Sequence, residues 1–268
     1  MVNVLCTVQK NGRYVDNLTR DDFEIYEDGV RQNIRYFAQE TGVDAQPLNV
    51  MMLVDTSGSV KDKLLFEKQA ALAFLEETLR KNKDMAAVIQ FDSDIRLDQD
   101  FTFDLGLLQQ ALDDIRAGGA TKLYDAIWLA TDQLLGEQIG RRVVVVLSDG
   151  ADTQSQVSDD DAIKAAQDHD VVIYGIGVQG GRSDFGKLKE FARETGGLFF
   201  NSRASLRELR SAFSRINAAV KNQYSIAYVP TNPARDGSFR KIKVKLRPSG
   251  LKVSHRKGYY APTSNNGS

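Results

Sequence analysis

The stretch that decides the fold class is residues 48–59, LNVMMLVDTSGS. Its near-continuous apolar run, Leu48 to Val54, predicts a strand that is buried on both faces of a sheet and ends in a polar turn. Residues 61–80 have the apolar spacing of a helix. The predicted buried stripe of that helix is Leu64, Leu65, Lys68, Leu72, Leu75 and Leu79. A buried strand that leads into a helix is the repeating unit of a parallel sheet covered by helices.

The same alternation continues towards the C-terminus. The clearest strand is residues 142–147, an arginine followed by four valines and a leucine. The other predicted strands are residues 86–91, 171–178 and 198–200. The predicted helices are residues 105–115, 123–135, 158–168, 183–194 and 205–220. Continuous apolar strands that alternate with helices indicate an α/β fold with a doubly wound, mostly parallel, Rossmann-like sheet over residues 47–220.

Both ends of the chain contain short alternating segments that predict strands. They are residues 2–8, 23–26, 34–37, 224–229, 239–246 and 251–259. Each end alone is too small for a good hydrophobic core. We therefore expect residues 1–46 and 221–262 to combine into one small antiparallel β module, into which the α/β domain is inserted. Residues 263–268 are expected to be a disordered tail.

The composition is that of a globular protein without a polyelectrolyte partner. Of the 268 residues, 42% are hydrophobic and 26% are charged; 35 Lys and Arg oppose 36 Asp and Glu, so the net charge is −1. This balance predicts no strong attraction to nucleic acid or anionic lipid. No window approaches the ~18 uninterrupted apolar residues of a membrane span, so we expect no membrane insertion. The one cysteine, Cys6, is expected to be a small buried hydrophobe.

Three polar loops could form a ligand site. They are Asp55 to Ser59, Gly118 to Thr121 and Ser148 to Gly150. In an open parallel sheet, ligands bind beyond the carboxyl ends of the strands, where the winding reverses. Two carboxylates and three hydroxyls of these loops are candidate ligands. These candidate ligand residues are Asp55, Ser57, Ser59, Thr121 and Asp149.

This donor set predicts a hard divalent cation. Carboxylate and hydroxyl oxygens suit the octahedral coordination of Mg²⁺ or Mn²⁺, which we expect rather than Ca²⁺. Zinc is disfavoured because His169, His255 and Cys6 lie outside the loops. Two carboxylates neutralise a divalent cation, so an acidic group from outside can still approach it without strong repulsion. The mixture favours recognition of a partner over storage of the metal.

The pattern Asp55-x-Ser57-x-Ser59, with Thr121 and Asp149, resembles the complete metal-ion-dependent adhesion site (MIDAS) of von Willebrand factor A domains, which include integrin inserted domains. The resemblance covers roughly residues 47–220. It implies that Ser57 and Ser59 ligate the metal directly, while the other three residues reach it directly or through water. It also implies a protein-binding module rather than an enzyme, in which the cation coordinates an Asp or Glu of a partner protein.

The flanks resemble bacterial VWFA-related proteins that are common in acidobacteria. The likeness is carried by Leu18 to Gly29, Tyr228 to Asn232 and Arg256 to Tyr260. Many of these relatives carry a signal sequence, so the resemblance implies a periplasmic, cell-surface or secreted protein. The first residues, Met1 to Val4, do not form a signal sequence. Both an exported and a cytoplasmic location therefore stay open, as does the oligomeric state.

Other interpretations of the loops are weaker. A metal-dependent hydrolase would need a general base near the metal, and Lys122 is the only candidate in the loops. A structural scaffold or assembly protein of the cell envelope is a further alternative. Asp55-Thr56-Ser57-Gly58 lacks the second copy that an aspartic protease needs. The glycines of residues 175–180 match a dinucleotide fingerprint but lie within a predicted strand, where close backbone packing explains them better.

Several further residues have a predicted role. Asp92, Lys122 and Asp152 are expected at the rim of the metal site. The alternating basic segment is predicted to be a solvated strand face that discourages edge-to-edge pairing, rather than a site for an acidic polymer. Its residues are Arg240, Lys241, Lys243, Lys245 and Arg247, with Lys252, Arg256 and Lys257 nearby. The resemblance to integrin domains implies that the helix at residues 205–220 could shift on ligand binding, and a rigid spacer is an equal alternative.

Overall fold

In a computed structural model the chain is described over residues 1–42, 44–179, 183–203 and 205–263. Its strands are, in chain order, β1 (Val2–Lys10), β2 (Arg13–Tyr14), β3 (Phe23–Glu27), β4 (Val30–Gln32), β5 (Ile34–Glu40), β6 (Leu48–Asp55), β7 (Met85–Phe91), β8 (Ile95–Thr102), β9 (Arg141–Ser148), β10 (Val171–Val178), β11 (Phe199–Ser202), β12 (Gln223–Tyr228), β13 (Phe239–Leu246), β14 (Lys252–His255) and β15 (Gly258–Tyr260). Its α-helices are α1 (Leu64–Thr78), α2 (Leu105–Asp114), α3 (Leu123–Trp128), α4 (Asp159–Asp168), α5 (Gly186–Thr195) and α6 (Leu206–Lys221).

The central sheet has six strands in the order β11-β10-β9-β6-β7-β8. All neighbouring pairs are parallel except β7 and β8, which are antiparallel. Strands β6 and β10 are buried at every position, because helices cover both faces of the sheet. The chain leaves β6 towards β7 and β8 and then returns to β9 on the other side of β6. The winding therefore reverses between β6 and β9, and the predicted doubly wound, mostly parallel sheet is confirmed.

Each face of the central sheet has its own apolar core. Helices α1, α2 and α6 cover one face, where Phe74 and Phe213 stack with ring centroids 4.9 Å apart. Helices α3, α4 and α5 cover the other face, together with a π-helical continuation of α3 at Leu129–Leu135. The α/β sandwich thus buries alternate side chains of the same strands on opposite sides.

The ends of the chain form two antiparallel sheets, which we call the β sandwich. One sheet has the order β14-β1-β12-β5, with β2 paired to β1, and the other has the order β15-β13-β3-β4. A shared core lies between them and includes Cys6, Ile25 and Tyr224. Each sheet contains strands from both ends of the chain, so the prediction that the two ends combine is confirmed.

Arg256 joins the β sandwich to the α/β part of the chain. Its guanidinium donates hydrogen bonds to the carbonyl oxygens of Gln167 (2.6 Å) and Asn3 (2.5 Å), and it lies 2.5 Å from a carboxylate oxygen of Asp170. Arg256 is buried, as is Arg240, which pairs with Glu27 inside the β sandwich. These contacts correct the prediction for the basic segment, since both arginines serve the interior rather than a solvated face.

The rest of the basic segment is exposed as the alternation predicts. In β13 the side chains of Lys241, Lys243 and Lys245 point to solvent, while Ile242 and Val244 are buried. However, β13 lies between β15 and β3 and is not an edge strand. The proposed protection against edge-to-edge pairing is therefore wrong for this strand.

Strand β8, the C-terminal tail and the start of α1 differ from the prediction made from the sequence. Strand β8 was not expected, because its sequence alternates charged with apolar residues at the edge of the sheet. Of the predicted tail, Thr263 forms an isolated bridge with Asp236, and residues 264–268 lie outside the described residues. Helix α1 begins only at Leu64, because Gly58–Val60 first makes a 3-10 turn. Within the described residues, no helix combines the length and apolarity needed to cross a membrane.

Candidate metal centre

Asp55 lies at the carboxyl end of β6, beside the point where the winding of the sheet reverses. It is fully buried. One carboxylate oxygen accepts a hydrogen bond from the backbone N–H of Ser57 (2.8 Å), and the other accepts one from the hydroxyl of Ser148 (2.6 Å). Burial raises the pKa of Asp55, and the charge of Asp149 raises it further, whereas the bonds from Ser148 and Ser57 lower it. The carboxylate is therefore fixed in orientation by Ser57 in the loop after β6 and by Ser148 at the end of the adjacent strand β9.

Ser57, Ser59 and Asp149 form a continuous chain of side-chain oxygens. The hydroxyl oxygens of Ser57 and Ser59 are 3.1 Å apart. The hydroxyl of Ser59 donates to one carboxylate oxygen of Asp149 at 2.5 Å, and the other oxygen accepts the backbone N–H of Ala151 at 3.1 Å. The structure thus brings residues separated by 90 positions in sequence into direct contact at the carboxyl ends of β6 and β9.

Backbone hydrogen bonds hold the loops together. The carbonyl of Gly119 accepts the N–H of Gly58 (3.2 Å), and the carbonyl of Thr56 accepts the N–H of Gly118 (2.6 Å). Gly119 has φ +92°, and a Cβ there would lie 2.7 Å from the hydroxyl oxygen of Ser93. Glycine is therefore required at this position for both conformation and space.

Thr121 joins the site through its backbone. Its N–H donates to the hydroxyl of Thr153 at 3.1 Å, and its carbonyl accepts the N–H groups of Thr153 (2.9 Å) and Gln154 (3.1 Å). These bonds tie the loop of Thr121 to the loop that follows Asp149. The side chain of Thr121 is buried, but it is not part of the hydrogen-bonded chain that links Ser57, Ser59 and Asp149.

The chemistry of the donors fits a hard cation. Two carboxylates and two hydroxyls lie in one connected cluster, and a third hydroxyl lies on a loop bonded to it. In the part of the chain that the structure describes, no three His, Cys, Asp or Glu side chains converge closely enough to hold a metal among themselves. A cation at this position would therefore depend on the serine and threonine hydroxyls, which suits Mg²⁺ or Mn²⁺ better than a softer ion.

The predicted rim residues have positioning contacts. Asp92 accepts hydrogen bonds from the hydroxyl of Thr56 (3.1 Å) and the N–H of Asp94 (3.0 Å). Asp152 accepts the N–H of Leu123 at 2.8 Å and so caps the start of α3. Lys122 is half-buried at the N-cap position of the same helix. Asp92 and Asp152 thus hold the loops in place, a role that the sequence did not suggest for them.

Glu67 was missed by the sequence analysis. Its side chain is only 1% exposed, although it lies on the first turn of α1. Burial raises the pKa of Glu67 to about 8; the charges of Asp55 and Asp149 raise it, and Lys63 lowers it. The signal in the sequence was a charged residue three positions after Leu64, on the helix face that is buried. The predicted stripe is confirmed at Leu64 and Leu75 but is wrong at Leu65, which is exposed, and it left Glu67 out.

The family whose model matches this chain is the von Willebrand factor type A domain, over residues 49–215. An uncharacterised protein of Borreliella burgdorferi is 26% identical in an alignment of 185 residues that covers 57% of this chain and 53% of that protein. Matrilin-3 of Gallus gallus is 27% identical over 175 residues, covering 60% of this chain and 37% of the matrilin. The match thus spans about half or less of the length of these curated relatives.

Solved structures show the same fold at low sequence identity. A von Willebrand factor type A protein from Catenulispora acidiphila has a TM-score of 0.58 at 13% identity and covers 98% of this chain and 74% of its own. BatB from Bacteroides thetaiotaomicron has a TM-score of 0.55 at 19% identity, covering 65% of this chain and 100% of its own. Proximal thread matrix protein 1 from the mussel byssus, with a zinc-occupied MIDAS motif, has a TM-score of 0.56 at 17% identity, covering 68% and 47%.

Proposed function

Because the chain belongs to the von Willebrand factor type A domain family, we propose that its loops at residues 55–59, 118–121 and 148–150 hold a divalent cation and bind an acidic residue of a partner protein. The observation that carries this proposal is the chain of oxygens from Ser57 through Ser59 to Asp149. Two segments that are distant in sequence thereby bring hard donors together beside the point where the sheet reverses its winding, and the loop of Thr121 is hydrogen-bonded to both through its backbone.

Each residue has a distinct part in this proposal. Ser57 and Ser59 would supply neutral hydroxyl oxygens directly to the cation. Asp149 would lie beside them, and its contact with Ser59 already orients both groups. Asp55 is held by Ser57 and Ser148 and would act directly or through water. Thr121 would add a further hydroxyl. When bound, the cation supplies an attraction for a carboxylate oxygen of the partner.

The charges in the cluster favour recognition of an acid. Asp55 and Asp149 together carry two negative charges, which balance one divalent cation, and the serine hydroxyls add none. An incoming carboxylate therefore meets a nearly neutral site rather than a negative one. A cage of four carboxylates would repel the same ligand. We accordingly propose a partner that presents Asp or Glu, and neither nucleic acid nor lipid.

A binding role fits the loops better than catalysis. A hydrolase needs a general base or a nucleophile near the metal. His255 lies in the β sandwich, and His169 lies 3.4 Å from Asp132 at the far end of α4, so neither histidine serves the loops. We propose a non-enzymatic interaction module, with a structural role in an assembly as the alternative. Release of product from ester, phosphate or peptide substrates in Mg²⁺ would contradict this.

Two further parts of the proposal concern organisation and location. We propose three segments: residues 47–220 as the cation-binding domain, with residues 1–46 and 221–262 as the two halves of the β sandwich module. We also propose that the protein acts outside the cytoplasm, at the cell surface or in the envelope. The resemblance of its flanks to exported bacterial proteins supports this location.

The first test is metal binding by the purified chain. Mg²⁺, Mn²⁺, Ca²⁺ and Zn²⁺ are titrated separately by calorimetry and by thermal unfolding, with zinc included because the mussel byssus protein holds it. At a concentration 100 times the Kd, binding stabilises a protein by about 2.7 kcal/mol, which is about 5–10 °C for a chain of this size. We expect Asp149→Ala to lose this stabilisation and Asp113→Ala, an exposed acid on α2, to keep it.

The second test concerns the acidic ligand. An array of peptides that contain Asp or Glu, each paired with its Asn or Gln counterpart, is probed with wild type and Asp149→Ala in Mg²⁺ and in chelator. The proposal predicts signals that need the acid, the metal and Asp149 together. Signals of equal strength in chelator, or on the amide peptides, would refute recognition through a cation.

A further inference from the structure

Among the described residues, Glu67 is a buried acid without a hydrogen-bond partner. Its side chain is 1% exposed, and neither carboxyl oxygen makes a hydrogen bond to another described residue. A buried carboxyl without hydrogen bonds destabilises the folded protein, because it has lost its hydration and no protein group replaces it. Such orphaned groups in a folded protein indicate a water molecule or an ion that completes them.

The groups around Glu67 indicate what completes it. Its charged neighbours come from three elements: Asp55 at the end of β6, Asp149 after β9, and Lys63 just before α1. Lys63 donates a hydrogen bond to the carbonyl of Gln179 and is therefore engaged with another loop. The two neighbours from the sheet are the two acids of the candidate metal centre. Glu67 thus lies close to that centre, on the first turn of α1.

Glu67 does not complete a three-carboxylate metal site with Asp55 and Asp149 among the described residues. A carboxyl that neighbours a metal centre without reaching the metal is well placed to accept hydrogen bonds from water held by the cation. Mg²⁺ in proteins usually keeps several such waters.

We propose that Glu67 is an outer-shell residue of the metal centre, whose carboxyl oxygens accept hydrogen bonds from water molecules bound to the cation. This inference rests on the proposed cation site and adds a residue that the sequence motif does not contain. It explains why Glu67 is the one charged residue on the buried face of α1, among Leu64, Ala70, Ala71, Phe74, Leu75 and Thr78. Partners of this kind orient the ligands of metals, and losing one weakens metal affinity by about 10–100-fold.

The experiment compares three variants in α1. Glu67→Met is an apolar residue of similar length, Glu67→Gln keeps the shape and can still bond to water, and Glu76→Gln is a matched control at an exposed position of the same helix. Two quantities are measured for each: the Mg²⁺ affinity by calorimetry, and the unfolding temperature in chelator.

The two measurements separate a metal-directed role from a merely structural one. We expect Glu67→Met to unfold a few degrees higher than wild type in chelator, because an orphaned acid has been removed. We expect the same variant to bind Mg²⁺ at least about tenfold more weakly, with Glu67→Gln intermediate and Glu76→Gln unchanged. An apolar replacement that stabilises the protein and leaves Mg²⁺ affinity unchanged would overturn the inference. If Glu67→Met does not fold, Glu67→Gln decides instead: an unchanged Mg²⁺ affinity in that variant would overturn the inference.

Failure of the inference is distinguishable from failure of the proposed function. If wild type and Glu76→Gln show no binding heat and no stabilisation with any cation, the cation site itself is refuted, and the role of Glu67 falls with it. If both bind Mg²⁺ and the two Glu67 variants bind equally well, the cation site stands and Glu67 has no part in it.

Discussion

Replacing Glu67 by glutamine is expected to change how the stability of the metal-free protein depends on pH. Burial raises the pKa of this carboxyl from an ordinary value of 4.5 to about 8. Between these two values the folded protein keeps a proton that the unfolded chain has released. Because the folded state then holds more protons, its stability falls as the pH rises from about 5 to 8. Above pH 8 the whole penalty is present.

The size of the effect follows from the shift. One pKa unit corresponds to about 1.4 kcal/mol, so the shift at Glu67 amounts to about 5 kcal/mol between acid and alkaline conditions. Since the side chain is 1% exposed, solvent screening reduces this little. Glutamine has a similar shape and no charge. The variant and wild type should therefore be about equally stable near pH 5, and the variant should be several kcal/mol more stable at pH 8.

Urea unfolding in chelator measures this difference at each pH. The single tryptophan, Trp128, packs against the core on the α3 face and reports unfolding by its fluorescence. Glu76→Gln serves as the control, and its stability should follow wild type at every pH. Asp55 is also raised in pKa by burial, but it is present in both proteins and largely cancels from the difference.

Stabilities of wild type and Glu67→Gln that run parallel from pH 5 to 8 would refute a raised pKa at Glu67. Parallel curves would mean that Glu67 titrates normally, and hence that the carboxyl finds water or a partner even without metal. A gap that grows towards acid would mean that Glu67 is stabilised as a carboxylate, the opposite of what its burial implies.

Three further changes test the architecture around the site. Arg256→Met should lower the free energy of unfolding by about 2–4 kcal/mol, because it removes the buried hydrogen bond to Gln167 and the ion pair with Asp170, which join the β sandwich to the α/β part. A loss below about 1 kcal/mol in urea unfolding would contradict this. Gly119→Ala should lower the free energy of unfolding by about 1–2 kcal/mol and weaken Mg²⁺ binding, since φ is +92° and a Cβ would contact the hydroxyl of Ser93. An unchanged Mg²⁺ affinity by calorimetry would show that this loop does not shape the site. Lys243→Ser with Lys245→Ser should leave binding to acidic peptides unchanged on the array, because both lie on a solvated face of the β sandwich; a clear loss would assign that face to the partner.

The sequence predicts the α/β part well because its strands are buried on both faces. A run such as residues 142–147 has no polar side to accommodate, so its apolar pattern is unbroken and its position in the centre of the sheet follows. Four of the five candidate ligand residues, Asp55, Ser57, Ser59 and Asp149, could be predicted at one edge for the same reason, since parallel strands bring their carboxyl ends together. In the structure Ser59 contacts Asp149, and Asp55 contacts Ser148 beside it, as this prediction requires.

The sequence did not predict which face of α1 is buried, nor that Arg256 is buried with distant partners. For α1 the leucines suggested a stripe through Leu65, which is 63% exposed, while the buried face uses the smaller Ala70 and Ala71 against the sheet. Hydrophobicity alone favours leucine, whereas close helix–sheet packing favours alanine. Glu67 lies on that buried face and was hidden by the same error. Arg256 looked like a solvated cation because its partners lie far away in sequence.

The contacts of the last helix also bear on whether ligand binding could move it. Arg141, buried at the start of β9, donates to the carbonyl of Val220 at 2.7 Å and lies 3.7 Å from the carboxylate of Glu40. A shift of α6 along its axis would break the bond to Val220, and a hydrogen bond to a charged group contributes about 1.5–3 kcal/mol. Coupling energies between ligand sites are typically about 1–3 kcal/mol. Breaking this one bond would cost as much free energy as a typical coupling provides. The connection from α6 to the β sandwich is therefore better interpreted as a rigid spacer.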